Sequence, residues 1–337
     1  WIIGTSEIDS LPAAGRWDEK GEWAVIEADE YWADPVDDKQ SKFMYLNPKI
    51  IVCTNLCHDH PDAFPTMKAF VENYWEFFIK IGSCRPGSPV RRPPLRCSDR
   101  AECGRSTGHP AGRHPMLLLS SQVKDVLTEY IPNWETELEE RGIKWIIFDS
   151  DGQEMTGLAK MMKVPGEHNV RNGMAAMRVA QIMGINRQNA IEGLSKYKGA
   201  KRRFEHYGCI KGVDLYDDYA HHPHEIASLI KTAREKFGGR KLRIVFHPHT
   251  YSRTKALFEG FVESLKLADE TILIPIFASA REKVDLTINS SMLAQSIRQK
   301  GGEAKYFSDW EKMVEYLANS AKTGDVIITV GAGDVYK

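Results

Sequence analysis

The sequence predicts an α/β fold with mostly parallel sheets, and two observations support this. Short apolar, β-branched runs alternate with stretches of helical periodicity, and beyond Gly199 the alternation has the spacing of a parallel, doubly wound sheet. The chain has 337 residues, which is long for one core, and its 42% hydrophobic content is ample for packing. We therefore predict two domains, residues 1–199 and 200–337.

Composition narrows the class of partner and the compartment. Lysine plus arginine (45) nearly balances aspartate plus glutamate (46), so no net field favours nucleic acid or an anionic membrane. No apolar run approaches the roughly 18 residues of a spanning helix, and the amino end lacks a secretion signal, so a cytoplasmic protein with small-molecule partners is expected. Cys53 and Cys209 are expected to be buried apolar fillers.

The first half predicts buried strands and amphipathic helices. Apolar runs that end in polar residues indicate the strands, and the 3.6-residue period indicates the helices. The predicted strands are Trp23–Glu27, Lys49–Thr54 and Trp145–Phe148; the predicted helices are Met67–Phe78, Gln122–Tyr130 and Asn169–Met183, the last with Asn169 as amino cap.

The segment from Ser83 to Pro115 differs from its surroundings. It holds seven arginines, six prolines and three cysteines with almost no large apolar residue, so it cannot build a core. Its cysteines and histidines suggest zinc, but no CxxC pair occurs. A disordered insertion or an aberrantly translated stretch is favoured over a zinc site or a basic nucleic-acid arm.

The second half predicts strands and helices in strict alternation. The strands are Val213–Tyr216, Leu242–Phe246, Thr271–Ile276, Lys305–Phe307 and Val326–Val330; the helices are Glu225–Glu235, Lys255–Leu267, Ser290–Lys300 and Trp310–Ala321.

A dense polar cluster, Asp217-Asp218-Tyr219-Ala220-His221-His222-Pro223, comes after the first of these strands. Such a run can be an exposed acidic turn. Its position between a strand and a helix favours a site, because open α/β sheets bind ligands beyond the carboxyl ends of their strands. Arg202 and Arg203 lie shortly upstream.

Three other polar groups come directly after predicted strands. Glu27–Glu30 and Thr54–Asp62 carry acids and a histidine that could hold Mg²⁺, a hard ion that prefers oxygen ligands, although solvated turns would look the same. His247–Thr254 places an arginine beside hydroxyls at a helix start, which suits an anionic substrate or a simple helix cap.

Taken together, the motifs resemble the Mur ligases, which build peptidoglycan precursors, in order and in spacing. The matching motifs are EADE (27–30), TNxxxDHxD (54–62), GEHNxxN (166–172), RRFE (202–205), DDYAHHPxE (217–225), FHPHTYSRT (246–254), FASAREK (277–283) and GAGD (331–334). The resemblance implies a central ATPase domain, here truncated at its amino end, before a doubly wound, Rossmann-like carboxyl-terminal domain. It also implies ATP, Mg²⁺ and a ligase that joins L-alanine to UDP-N-acetylmuramate through an acyl phosphate.

The resemblance assigns roles to residues by position. The metal would contact Glu27 and His60, with Asn55 and Asp59 in support, and adenine would contact His168 and Asn172. The remaining assignments are Arg202 or Arg203 and Asp218 near the phosphates, and Tyr219, His221, His249, Ser252 and Arg253 at the substrate end.

The sequence also departs from the family pattern. No glycine-rich GxxxxGK[ST] loop occurs in the chain, so these 337 residues alone are predicted not to turn over ATP. Cys57 and His58 replace an acid and a proline of the metal loop. Two alternatives stay open: a recycling ligase that attaches a murein tripeptide, favoured by EADEY and by the motif at Asp38–Phe43, and a non-catalytic remnant that binds a ligand.

Overall fold

The structure is a computed structural model that describes residues 1–2, 8, 11, 15–34, 36–58, 60, 63–81, 115–278, 282–333 and 335. The chain divides into two compact units. The smaller unit comprises Ala28–Cys57 and Thr66–Ser150; the larger unit comprises Trp1–Glu27, His58–Pro65 and Asp151–Lys337. The predicted boundary near residue 199 stays a prediction.

The smaller unit is built on a three-stranded parallel sheet in the order β3-β4-β5, beside an antiparallel β1-β2 pair. Its elements are β1 (Trp32–Asp34), β2 (Asp38–Ser41), a 3-10 helix (Lys42–Tyr45), β3 (Ile50–Cys53), α1 (Met67–Lys80), β4 (Met116–Leu119), α2 (Ser121–Tyr130), α3 (Trp134–Glu140) and β5 (Lys144–Ile147).

Capping side chains define where the main helices of this unit begin. Thr66 accepts a hydrogen bond from Ala69 N at the start of α1, and Ser120 accepts one from Val123 N at the start of α2. The core is apolar and includes fully buried Leu117 and Leu118 of β4. A central strand buried on both faces is what the unbroken apolar run MLLL requires.

The larger unit carries most of the helices. Its elements are α4 (Gly152–Ala159), α5 (Glu167–Ile182), α6 (Arg187–Lys196), β6 (Glu205–Ile210), β7 (Val213–Asp218), α7 (Pro223–Phe237), β8 (Leu242–Phe246), α8 (Tyr251–Ala256), α9 (Phe258–Leu265), β9 (Glu270–Leu273), α10 (Ser290–Gln299), β10 (Ala304–Tyr306), α11 (Trp310–Ser320) and β11 (Val326–Val330).

These strands form one six-stranded sheet in the order β10-β9-β8-β11-β7-β6. All pairs are parallel except β6 with β7, which are antiparallel. The last strand, β11, therefore lies between β7 and β8. Because β7 and β8 are not neighbours, the loops after them open on either side of the β11 end.

Each face of the sheet packs against helices. On one face, Ile244 and Ile328 pack in an apolar cluster that includes Ile230 of α7 and Phe261 of α9. On the other face, a smaller cluster joins strand residues to Met313 of α11. The doubly wound arrangement that the alternating pattern predicts is confirmed.

Several predicted elements differ from the structure. Trp23–Glu27 is not a strand: within the described residues only Ile26 pairs, as an isolated bridge with Ile2, and Val25 is 59% exposed. The helix predicted at Lys255–Leu267 is two helices separated at Leu257, whose φ of −108° and ψ of 19° break the helical geometry.

Two local predictions also fail. Asn169 does not cap α5, because Gly166 is the cap residue and the Asn169 amide donates back to Pro165 O at 2.6 Å. Cys53 is buried as expected, but Cys209 is exposed on β6 and fills no core. The predicted features of residues 83–114 lie outside the described residues, and no described helix is both long and apolar enough to cross a membrane.

Candidate functional site

The strand register of the larger unit brings two of the sequence clusters to one edge of the sheet. Val330 of β11 is paired with both Asp218 of β7 and Phe246 of β8, and Phe246 is paired with Leu273 of β9. The segments that leave these four residues therefore start at the same edge. They carry the DDYAHHP cluster, the HPHTYSRT cluster and the glycines at 331 and 333.

Arg202 is fixed within this edge by buried contacts. Its Nε donates to Asp217 Oδ2 at 2.9 Å and its Nη2 donates to Gly331 O at 2.6 Å. The Asp217 side chain is 1% exposed and also accepts a hydrogen bond from Thr329 Oγ1 at 2.6 Å. Arg202 thus ties the segment before β6 to β7 and β11.

Arg203 points to a different environment. Its side chain is 52% exposed, and its Nη1 lies 3.8 Å from Glu225 Oε1. The Arg202 and Arg203 guanidiniums lie 5.1 and 5.5 Å from the ring centroid of Tyr219, so both pack on the phenol. The sequence could not separate the two arginines, whereas the structure makes Arg202 the buried one and leaves Arg203 available to an anion.

Asp218 is a buried carboxylate at the end of β7. Its Oδ2 accepts from Phe204 N and its Oδ1 from Ala220 N, both at 2.8 Å. Burial raises the pKa of Asp218 to about 6, although these two donors and the charge of Arg203 oppose the rise. The group therefore titrates close to neutrality.

The start of α7 is organised by a capping box. His222 Nδ1 accepts a hydrogen bond from His224 N. Glu225 Oε2 accepts hydrogen bonds from the backbone N–H groups of His221 and His222 at 2.9 and 3.2 Å. Pro223 occupies the first helical turn, two residues before the predicted start at Glu225. This network fixes the backbone on which His221 is presented.

The His221 ring has a defined orientation. Its Nδ1 lies 3.0 Å from Tyr219 O, which can only accept, so Nδ1 carries the proton in the neutral tautomer. The ring also meets the edge of Tyr219 with centroids 5.2 Å apart. His221 and Tyr219, both predicted at the substrate end, are therefore in direct contact.

His249 lies in the loop after β8 and stacks on Phe277. The ring centroids are 5.1 Å apart with an interplanar angle of 11°, and a parallel bridge joins the two residues. Burial, together with the nearby charge of Arg253, lowers the pKa of His249 to about 4. This imidazole is therefore neutral at physiological pH.

Arg253 lies on α8, one turn beyond His249. Thr250 caps this helix through its hydroxyl, and Arg253 is only 7% exposed. Ser252 is exposed on the same helix. The predicted residues His221, His249 and Arg253 thus share one edge, and the charges of His221 and Arg253 both act on His249.

Gly331 allows the closest backbone approach in this edge. Its φ is +146°, and a Cβ built there would lie 2.6 Å from His247 O. A side chain would be strained and would also clash with the loop after β8. The motif GAGD carried this signal in the sequence as a glycine directly after a strand.

His168 and Asn172 lie one turn apart on α5, and both are exposed. His168 Nδ1 is 3.1 Å from Ser228 Oγ of α7. Gly166 precedes them with a φ of +98°, where a Cβ would lie 2.7 Å from both His168 Cε1 and Thr232 Oγ1. The glycine of GEHN is thus required for His168 to take this position.

The residues predicted to bind the metal do not form a metal site within the described ranges. Glu27 and Asn55 are exposed, His60 is half-buried with a φ of +55°, and Asp59 lies outside the described residues. Within the described ranges, no three histidine, cysteine, aspartate or glutamate side chains form a group that could hold a metal ion. The magnesium site stays a prediction.

Two residues that the sequence did not assign take part in the same edge. Glu282 accepts hydrogen bonds from Tyr251 N at 2.5 Å and Ser252 N at 3.2 Å. Thr250 has a φ of +69°, which is rare for a β-branched residue. The FASAREK motif contained Glu282, but nothing in its spacing indicated a contact with α8.

Comparison with known proteins agrees with this architecture. Residues 202–333 match the model of the Mur ligase glutamate ligase domain. A UDP-N-acetylmuramate–L-alanine ligase from Desulfitobacterium hafniense is 33% identical over 343 residues, which cover 100% of this chain and 69% of that protein. The chain thus spans about two thirds of the length of this relative.

Solved structures share the fold. A UDP-N-acetylmuramate-alanine ligase from Thermotoga maritima matches with a TM-score of 0.56 at 20% identity. The match covers 86% of this chain and 58% of the Thermotoga chain. A murein peptide ligase from Psychrobacter arcticus has a TM-score of 0.54 at 19% identity, with 96% and 64% covered. From the sequence relative that spans the whole chain, and from the matching fold, it follows that the chain belongs to the Mur ligase family.

Proposed function

We propose that this protein is an ATP-dependent ligase that joins L-alanine to the carboxylate of UDP-N-acetylmuramate. The proposal agrees with the relatives' names and rests on one observation. A single sheet edge carries Arg203, Asp218, His221, His249 and Arg253, which is a set of cationic and titratable groups suited to two anionic substrates.

The nucleotide fits the residues that are present. His168 and Asn172 offer an exposed imidazole and an exposed amide on one face of α5. Partial burial lowers the pKa of His168, and the positive charge of nearby Arg203 adds to this lowering. We assign adenine to the first two residues and a phosphate to Arg203. A magnesium ion at Glu27 and His60, with Asn55 and Asp59, stays a prediction on which no step of the proposed mechanism depends.

ATP supplies the phosphoryl group that activates the substrate carboxylate. The chain's own residues bind and orient. Arg203 neutralises phosphate charge, and Asp218 orders the backbone of Phe204 and Ala220 around it. Arg253 provides a cation for the substrate end.

The histidines at the substrate end are assigned by their protonation. His249 is neutral at physiological pH, so its place beside Arg253 adds no second positive charge. An amine nucleophile must lose a proton when it forms the amide. In the neutral His221 ring, Nδ1 donates to Tyr219 O and Nε2 is therefore the acceptor nitrogen. We assign this Nε2 to the substrate end of the site, where the amine loses its proton.

The proposed activity belongs to a longer polypeptide than the 337 residues. The sequence contains no GxxxxGK[ST] loop, and the relatives are about half as long again as the part that matches. We therefore propose that these residues bind ligands but need a phosphate-loop segment for turnover.

A chimera tests the proposal. The part of the D. hafniense relative that precedes its match to this chain is fused in front of Trp1, and phosphate release is measured with ATP, UDP-N-acetylmuramate and L-alanine. Release that requires all three substrates is expected from the chimera and not from the 337-residue chain. The variant that tests the site is the same chimera with Arg203→Ala, which should lose turnover while remaining folded because this side chain is 52% exposed.

Two outcomes would contradict the proposal. A folded chimera that releases no phosphate would remove the ligase assignment. Substrate-dependent release by the 337-residue chain alone would show that the phosphate-loop requirement is wrong.

A second amine substrate is favoured by one observation. The EADEY and Asp38–Phe43 motifs resemble the branch that attaches a murein tripeptide. Competition between L-alanine and L-Ala-γ-D-Glu-meso-diaminopimelate in the active chimera separates the two, and preferential incorporation of the tripeptide would replace the alanine assignment.

A further inference from the structure

Residues 282–287 contact α8 at two separate points. The Glu282 carboxylate accepts from the backbone N–H groups of Tyr251 and Ser252. Further along, Asp285 Oδ2 and Thr287 Oγ1 each lie 2.8 Å from Lys255 Nζ. The first contact is with the backbone at the helix start, and the second is with a long, flexible side chain.

The Glu282 contact lies next to a strained residue of the backbone. Thr250 has φ +69° and ψ 141°, a region that costs a non-glycine residue on the order of 1–3 kcal/mol. Such a conformation persists only when the surroundings hold it. Thr250 N donates to Phe277 O at 3.1 Å, and the next two N–H groups along the chain are those held by Glu282.

Two site residues flank this strained turn. Arg253 N donates to Thr250 Oγ1 at 3.4 Å, so a hydrogen bond ties the arginine's backbone to the turn. His249 immediately precedes the turn and stacks on Phe277. The Arg253 guanidinium is buried and near enough to His249 for its charge to act on the imidazole.

We propose that Glu282 is a positioning residue: its two hydrogen bonds to Tyr251 and Ser252 hold the Thr250 turn so that Arg253 faces His249. This inference rests on the proposed function, in which His249 and Arg253 form the substrate end. Glu282 acts through α8, because both of its oxygens are engaged by backbone donors. Charged carboxylates make strong hydrogen bonds to such donors and also favour the positive end of a helix.

The protonation of His249 distinguishes positioning from a purely electrostatic role. The charges that act on His249 are those of Arg253, His221 and His247, which lower its pKa, and of Glu282, which raises it. If Glu282 acted only through space, Glu282→Gln would lower the pKa of His249. If Glu282 positions Arg253, the same change lets the guanidinium move away and the pKa of His249 rises.

The experiment is an NMR titration of the His249 imidazole in the 337-residue chain between about pH 7.5 and about pH 4.5. In the unaltered chain His249 should stay neutral over most of this range. In Glu282→Gln its pKa should shift upward, toward the ordinary value of about 6.5. Asp285→Asn, which removes the same charge from the same segment but leaves the α8 backbone contact, should leave His249 unchanged.

Glu282→Asp is the second variant, and it tests the same proposal if Glu282→Gln does not fold. It keeps the charge but is one methylene shorter, so it cannot hold both N–H groups, and it should also raise the pKa of His249. An unchanged or lowered pKa in either folded variant overturns the proposal, as does a His249 in the unaltered chain that titrates at about its ordinary pKa of 6.5. No substrate is used, so a failed ligase assay and a failed titration are separate results.

Discussion

Arg202 and Asp217 form an ion pair with 2.9 Å between Nε and Oδ2, and the Asp217 partner is almost completely buried. The same guanidinium also donates to the carbonyl of Gly331. One side chain therefore joins three segments of the sheet edge. The neighbouring Arg203 has none of these contacts, and this difference leads to the first prediction.

Replacing Arg202 by alanine should destabilise the fold by about 3–5 kcal/mol, because Asp217 would remain buried without its counter-charge. Urea unfolding monitored by circular dichroism measures this. Arg203→Ala is the matched control and should cost less than about 1 kcal/mol, because its ion pair is exposed. Equal losses for the two variants would show that burial of the Arg202 pair does not contribute as inferred.

The stability of the chain should fall as pH rises through the folded-state pKa of Asp218. That pKa is about 6, above the ordinary value of 3.8, so the folded protein binds the proton more tightly than the unfolded chain. The stabilising contribution is fully present below the ordinary pKa and is lost above about pH 6. A difference of about two units corresponds to about 3 kcal/mol.

The measurement is the free energy of unfolding at several pH values in the unaltered chain and in Asp218→Asn. The asparagine variant does not titrate, so its profile should lack this decline between about pH 4 and about pH 7. Parallel profiles would mean that Asp218 ionises as easily in the folded protein as in the unfolded chain.

Gly331→Ala should destabilise the protein by about 2 kcal/mol or more, since it combines a disfavoured φ with a clash against the carbonyl oxygen of His247. The melting temperature reports the change. Gly157→Ala in α4 is the matched glycine control, because a Cβ there meets nothing within 4 Å and alanine favours the helix by about 0.5–1 kcal/mol. The two substitutions should move stability in opposite directions.

His168→Ala and Asn172→Ala should each weaken ADP binding by about tenfold, or about 1.4 kcal/mol, if these residues contact adenine. Isothermal titration calorimetry with ADP measures the affinity. Both side chains are exposed, so melting temperatures should change little. Gln181→Ala, exposed near the other end of α5, should bind ADP normally, and an equal loss in that variant would point to a general effect on the helix.

The sequence was sufficient to locate the sheet edge. Asp218 and His247 end or directly succeed apolar runs, and parallel strands place the loops at their carboxyl ends on one side of the sheet. The sequence did not give the strand order, because the apolar run of β11 indicates a buried strand but not which strands are its neighbours. β6 was missed for a related reason: Glu205–Ile210 is an edge strand with mostly exposed residues and therefore shows no buried period.

The finer geometry of the site depends on backbone features that residue types conceal. Arg202 and Arg203 are adjacent and identical, and it is the φ of +61° at Arg202 that accompanies their divergence. Thr250 is β-branched, a type for which a positive φ is not expected. Its conformation depends on Phe277 and Glu282, which are distant in sequence, so only the folded chain could show it.

The central position of β11 has a consequence for how the protein is made. Both β7 and β8 take β11 as a neighbour, yet more than a hundred residues separate the start of β7 from the start of β11. During translation the earlier strands emerge from the ribosome with a gap between them, and their open edges await a partner. A stop codon placed just before Val326 would thus yield a split sheet, and we expect such a product to be a substrate for chaperones and proteases rather than a weakened ligand-binding protein.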